Sequence, residues 1–288
     1  MDSVLVLIAA PGTQAIAAPI LDLLRDLGGG PPHWLAEGEA CEISAFARLP
    51  EFMLAIRRFP VDAALISNQN RRKRLLIADM DSTMIEQECI DELGEAAGAG
   101  EAIRDITRRA MSGELDFETA LRARVRLLAG LQAGLVTRLL RERITFMPGA
   151  QTLITTMKAN GAYTALVSGG FTVFTGPVAR ALGFDENQAN ELVIEDERLT
   201  GDVRPPILGQ RAKLEALHRM TGRLGLDPGD ALAVGDGAND LAMLAEAGMG
   251  VALHAKPTVQ ESALIRVNHG DLTALLYLQG YTKAQFRN

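Results

Sequence analysis

A chain of 288 residues that is 48% apolar and 23% charged is long enough for two domains and apolar enough to bury a sizeable core. Its formal charge of −7 excludes nucleic acid or an anionic membrane as a main partner, since both require clustered positive charge. The single basic run, Arg71 to Arg74, is shorter than a polyanion-binding cluster and reads as a solvated linker or strand edge.

The first residues, MDSVLVLIAAPG, carry Asp2 where a leader would carry basic residues, and Pro11-Gly12 interrupts the apolar run. They read as a first strand over 3–9. Ile16, Ile20, Leu23, Leu24 and Leu27 then recur at helical spacing, which predicts a helix from Gln14 to Leu27 stopped by Gly28–Gly30 and Pro31-Pro32. Short strands at 33–37 and 40–45, a helix at 50–58 and a strand at 61–67 complete a βαββαβ order, that of a ferredoxin-like unit. No run is long enough for a transmembrane helix, and Cys41 and Cys89 lie far apart, so a cytoplasmic protein with free, buried thiols is expected.

From residue 74 the pattern changes to apolar strands alternating with helices. LLIAD (75–79), YTALVS (163–168) and ALAVGD (231–236) are apolar runs that each end in a polar residue. They predict a parallel sheet whose site lies at the carboxyl ends of its strands. Helices are expected at 150–160, 173–182, 210–223 and 240–247. Between Met84 and Arg143 only amphipathic helical segments occur, which predicts a helical cap inserted after the first of these strands.

The stretch DMDST at 79–83 places two carboxylates two residues apart at a buried strand end, where they repel unless a cation or a reacting anion compensates. Beside a divalent cation and a phosphoryl group, Asp79 is a ready nucleophile and Asp81 a proton donor and acceptor. GDGAND at 235–240 adds Asp236 and Asp240, an all-oxygen set that suits Mg²⁺. Ser168, with the backbone N–H groups of Gly169 and Gly170, offers donors to phosphoryl oxygens, and Lys213 offers a point charge.

DMDST, VSGGFTVFT, GQRAK and GDGANDL, in this order over residues 74–280, resemble the haloacid dehalogenase superfamily and, within it, the phosphoserine phosphatases. The resemblance implies a Rossmann-like α/β core with an inserted helical cap at about 84–145. It implies an aspartyl-phosphate mechanism with Asp79 as nucleophile and Asp81 as acid/base. It further implies Mg²⁺ held by Asp79, the main-chain carbonyl of Asp81, and Asp236. Asp240 would support that site, Asn239 would lie near the phosphate, and Thr83 would be structural. The substrate it implies is O-phosphoserine, hydrolysed to serine and phosphate as the last step of serine biosynthesis. Such a substrate needs one acid and one base in the cap, and Glu88 and Arg124 match the residues that bind the amino-acid end. Met111 and Phe117 match apolar cap residues that cover it.

Residues 1–72 are then an ACT-like unit, expected either to bind serine at a subunit interface of a homodimer or to serve packing alone; residues 73–288 are the phosphatase unit. Two other readings stay open: another enzyme on the same core, either a hydrolase of a different small phosphomonoester or a phosphotransferase that passes the phosphoryl group to an alcohol, and a non-catalytic phosphoacceptor or amino-acid sensor in which Asp79 is phosphorylated and held. His33, His218, His254 and His269 share no metal spacing, and His254 alone falls near a loop that can approach the site.

Overall fold

The computed structural model describes residues 3–112, 114–209 and 211–288. The N-terminal unit runs β1 (Ser3–Ala9), α1 (Ala18–Asp26), β2 (His33–Ala36), β3 (Ala40–Ile43), α2 (Leu49–Ala55) and β4 (Val61–Ser67), with the sheet in the order β2-β3-β1-β4, all antiparallel. The predicted βαββαβ order is present. Helix α1 opens four residues later than its periodicity predicts, because Gln14 takes a left-handed φ of 50° and Pro19 sits in the first turn, where its missing N–H costs nothing.

The larger unit runs β5 (Leu75–Ala78), then α3 (Cys89–Ala96), α4 (Gly100–Met111), α5 (Phe117–Arg126) and α6 (Gly134–Glu142) as the inserted cap. It continues through α7 (Ala150–Ala159), β6 (Tyr163–Phe171), α8 (Thr172–Leu182), a hairpin of β7 (Glu186–Glu195) and β8 (Arg198–Arg204), and α9 (Ala212–Leu224). The chain closes with β9 (Ala231–Gly235), α10 (Leu241–Glu246), β10 (Met249–Leu253), α11 (Pro257–Ser262), β11 (Ile265–Val267) and α12 (Ala274–Leu278). The sheet order is β11-β10-β9-β5-β6-β7-β8, parallel except for the β7–β8 hairpin. This is a Rossmann-like α/β core.

Strand alternation divides the core. Leu76 and Ala78 of β5 and Leu232 and Val234 of β9 face one layer, while Leu75, Ile77, Ala231 and Ala233 face the other. Burial on both faces explains why these strands are continuously apolar instead of alternating. Ala78 pairs with Leu166 of β6 on one side and Val234 of β9 on the other, so Asp79, Ser168 and Asp236 emerge at neighbouring strand ends.

The N-terminal sheet is covered on both faces as well. Leu5, Leu7 and Ala9 pack on α1 and α2 through Ile20, Leu24 and Phe52, whereas Val4, Val6 and Ile8 share one buried cluster with Leu276 and Tyr277 of α12. Polar bonds reinforce that junction: Tyr277 Oη donates to Glu39 at 2.7 Å, and Lys283 Nζ pairs with the same carboxylate at 2.7 Å. The basic run departs in part from the solvated linker or strand edge its composition suggested: Arg72 and Arg74 are exposed, but Arg71 and Lys73 are not. Arg71 is largely buried, donating to the Leu278 carbonyl at 2.7 Å and pairing with Glu42 at 2.7 Å; Lys73 is buried on the Asn70 and Gly229 carbonyls; Arg72 stacks 4.2 Å from the Tyr281 ring centroid. These partners come from distant segments that only folding brings together: Glu42 from β3, Gly229 from the turn before Ala231, and Leu278 and Tyr281 from the C-terminal segment. No helix among the described residues is long and apolar enough to cross a membrane.

Candidate active site

At the end of β5 the Asp79 N–H donates to the Val234 carbonyl at 3.0 Å, which locks the strand end against β9. The Asp79 side chain is buried; its Oδ1 accepts from the Met80 N–H at 2.7 Å and its Oδ2 pairs with Lys213 Nζ at 2.7 Å. Lys213 reaches this point from the first turn of α9 and pairs with Asp240 at 2.5 Å as well. Burial alone would lower the Lys213 pKa, but Asp240 and Asp79 together outweigh it and hold the ammonium above its ordinary value.

Asp79, Asp236 and Asp240 bring carboxylate oxygens within 4.8 Å of one another, all buried. Among protein groups alone, burial pushes Asp79 well up from the ordinary carboxylate range against the pull of Lys213, with Asp240 and Asp236 adding to the rise. Burial also raises Asp236, against the pull of Lys256 and with the help of Glu88 and Asp240. Three buried acids facing one another are costly without a compensating cation, and an all-oxygen donor set fits a hard divalent ion. The three acids are not equivalent, however. Asp240 has Oδ1 on Lys213 and Oδ2 on the Gly237 N–H at 2.9 Å, so Asp79 and Asp236 are the better placed to coordinate. Gly235 is required here: a Cβ would lie 2.3 Å from Asp240 Cγ.

Asp81 turns the other way. Its Oδ1 accepts from the Cys89 N–H at 2.8 Å and its Oδ2 from Ser168 Oγ at 3.2 Å. Burial, followed by the nearby Glu88, pushes its pKa up to about 6, so it exchanges protons near neutral pH. A Cβ on Gly170 would come within 2.9 Å of Asp81 Oδ2, which explains the glycine. The Gly170 N–H is not bare as expected, since it donates to Ser168 Oγ at 2.8 Å. Thr83 is buried and donates to Asp236 at 3.4 Å.

These groups open on a cavity of about 760 Å³ between the sheet and the cap. Glu88, Arg124, Phe117, Gly169 and Asn239 all line it, beside Asp79, Asp81 and Asp236. Glu88 precedes α3 and accepts from Ser82 Oγ at 3.0 Å; Ser82 holds a left-handed φ of 54°. The Arg124 guanidinium is oriented by Nε on the Ala120 carbonyl at 3.2 Å and Nη1 on Thr107 Oγ1 at 3.3 Å. No ion pair joins Glu88 to Arg124 among the described residues. The side chain of Met111 lies outside the described part of the structure, as does Gln210.

Two residues of this site escape motif reading. Lys256 follows β10 and brings Nζ to 3.5 Å from Asp236 and 3.8 Å from Glu88. Asn190, buried on β7, donates to the Gly169 carbonyl at 2.9 Å and accepts from the Leu208 N–H at 2.7 Å, tying the second strand end to the approach of α9. Asn190 gave no motif signal because its strand has no clean period, and nothing local marks Lys256.

A family model, haloacid dehalogenase-like hydrolase, matches residues 76–245. The chain belongs to that family. It is 44% identical over 227 residues to a phosphoserine phosphatase of Streptomyces coelicolor, a match that takes in 78% of this chain and 55% of that protein, so the chain spans little more than half of that relative's length. A haloacid dehalogenase-family hydrolase from Salmonella enterica serovar Typhi superposes with a TM-score of 0.85 at 30% identity, covering 96% of this chain and 98% of the other. A solved phospho-aspartyl intermediate analogue of phosphoserine phosphatase superposes with a TM-score of 0.67 at 40% identity, covering 72% of this chain and 98% of the other. At 96% coverage, the first of these structures extends over the N-terminal sheet as well.

Proposed function

We propose that this protein is a phosphoserine phosphatase, hydrolysing O-phosphoserine to serine and orthophosphate with Mg²⁺, the last step of serine biosynthesis. The observation that carries the reading is one cavity lined at its floor by Asp79, Asp81 and Asp236 and at its cap by Glu88 and Arg124. A phosphate meets the floor while an ammonium and a carboxylate meet an acid and a base. The likeness to the phospho-aspartyl analogue supports it.

Asp79 and Asp236, with the main-chain carbonyl of Asp81, would hold the cation, which neutralises phosphoryl charge when bound. Arg124 pairs with the substrate carboxylate and Glu88 with its ammonium, while Phe117 covers the amino-acid end. Ser168, Gly169 and Asn239 lie where phosphoryl oxygens need donors. Asp79, held by Met80 N–H and Lys213, attacks phosphorus as the bond to the serine oxygen breaks. Asp81 enters this step protonated and gives its proton to the departing oxygen. As a carboxylate it then takes a proton from water, whose oxygen attacks the same phosphorus and releases phosphate from Asp79. Cap closure keeps bulk water from the first step.

The test is a screen of phosphomonoesters that measures released orthophosphate with Mg²⁺ and with a chelator. Metal-dependent release strongest from O-phosphoserine is expected; release from other esters but not this one overturns the substrate, and consumption only with an added alcohol points to transfer. Residues 1–72 are read as an ACT-like unit beside a phosphatase unit over 73–288. Serine binding there, checked by calorimetry, homodimer formation, checked by sedimentation, and a cytoplasmic location belong to the same proposal.

A further inference from the structure

Lys213 is enclosed by Asp79 and Asp240, so the cations that line the cavity among the described residues are Arg124, near the cap, and Lys256, at the floor. Lys256 stands 3.5 Å from Asp236 and 3.8 Å from Glu88, too far for close hydrogen bonds, and its side chain is 44% exposed, so its N–H groups can turn to an anion. Its backbone is fixed from behind. The Lys256 N–H donates to the Asp236 carbonyl at 3.1 Å, and the residue is extended ahead of Pro257, as that proline requires.

Two residues earlier, His254 holds a left-handed φ of 45°, a conformation that needs outside support. Its N–H donates to the Val267 carbonyl at 2.8 Å, and its ring Nε2 lies 2.9 Å from the Gly270 carbonyl. A carbonyl only accepts, so Nε2 carries the proton. The segment 268–270 that supplies this carbonyl follows β11, an edge strand of three residues with few ladder bonds of its own. What holds the segment is Asp62, from β4 of the N-terminal sheet. Its buried carboxylate accepts from three successive N–H groups, Asn268 at 2.8 Å, His269 at 3.0 Å and Gly270 at 2.8 Å.

We propose that Asp62 is a positioning residue for Lys256, acting through Gly270 and His254, and that Lys256 meets the phosphoryl oxygens at the cavity floor. The inference rests on the phosphatase reading. It gives the N-terminal sheet a part in substrate binding that needs no ligand on that sheet.

The test is a double-mutant cycle on the full chain with Mg²⁺, following phosphate release from O-phosphoserine. Loss of a charge-assisted bond in Lys256→Met raises KM about 10- to 100-fold. Asp62→Asn keeps the shape but holds the three N–H groups more weakly; it raises KM about three- to tenfold while kcat stays within about twofold. In the Lys256→Met background the same change adds less than about twofold, because its route is already cut. Effects on KM that multiply, or an Asp62→Asn protein with unchanged KM, overturn the proposal. Should Asp62→Asn fail to fold, His254→Asn enters the same cycle, since asparagine tolerates the left-handed φ but is too short to reach Gly270. Amide exchange gives a readout independent of turnover. Asp62→Asn, or His254→Asn in its place, should speed exchange at residues 254 and 256 and leave α4 and α5 unchanged; unchanged exchange at 254 and 256 overturns the coupling. If the wild-type chain releases no phosphate from phosphoserine, the functional reading fails, and the exchange comparison alone decides whether Asp62 braces this loop.

Discussion

Replacing Lys213 by methionine removes a buried ammonium while keeping most of its stem, and leaves Asp79 and Asp240 facing each other without the cation between them. At 2.7 and 2.5 Å each lost attraction is about 6 to 7 kcal/mol at an effective dielectric of about 20. Against this stands the desolvation of the ammonium, several kcal/mol, which the methionine no longer requires. The net expectation is the loss for breaking a buried pair, about 3–5 kcal/mol. In urea with a chelator at pH 7 the unfolding midpoint should fall by about 1 M or more, taking a slope of about 1–3 kcal/mol per M. Lowering the pH should shrink the difference, because protons then neutralise the orphaned acids. Mg²⁺ at about a hundredfold over its Kd should restore about 2.7 kcal/mol. A Lys213→Met protein with the wild-type midpoint in chelator would refute the claim that these acids depend on a cation.

Asp79→Asn should abolish phosphate release while circular dichroism stays near wild type, since the amide is nearly isosteric but a poor nucleophile. Arg124→Ala should lower kcat/KM for phosphoserine by about 10- to 100-fold, and far less for a phosphomonoester without a carboxylate; equal losses on both would remove Arg124 from substrate recognition. Asp81, with a folded pKa of about 6 against an ordinary value of 3.8, should make kcat/KM fall as pH rises through about 6, because the first step needs its proton. The same shift has a stability sign: the folded state keeps a proton that the unfolded chain has lost, so stability falls as pH rises from about 4 to 6. Asp81→Asn should flatten that slope in urea titrations at a series of pH values.

The strands that carry chemistry were legible because burial on both faces makes β5, β6 and β9 uninterrupted apolar runs that end in polar residues. The cap was legible because four helices in a row leave no strand-like alternation. The β7–β8 hairpin was not, since ENQANELVIE mixes polar and apolar residues without a clean period. Strand β10 was missed because MGVAL is interrupted by Gly250 and does not end in an acid or hydroxyl as the other core strands do, and β11 because it has only three residues. At the site, Asp79 and Asp81 announce themselves as paired acids at a strand end, and Asp236 and Asp240 as acids beside glycines. Lys256, by contrast, is one lysine in an ordinary loop.

By itself, then, the order of residues determined which groups could react: acids in pairs, a hydroxyl beside glycines, and helices placed to cover them. Those are local matters, set by residue type and by neighbours a few positions away. Only the tertiary structure decided that Arg71 and Lys73 of the basic run are buried on distant carbonyls, that Asp62 reaches across some two hundred residues to residues 268–270, and that Lys256 faces the cavity. Such pairings join groups whose hydrogen-bonding needs arise only after burial, and no local pattern records which distant backbone will meet them.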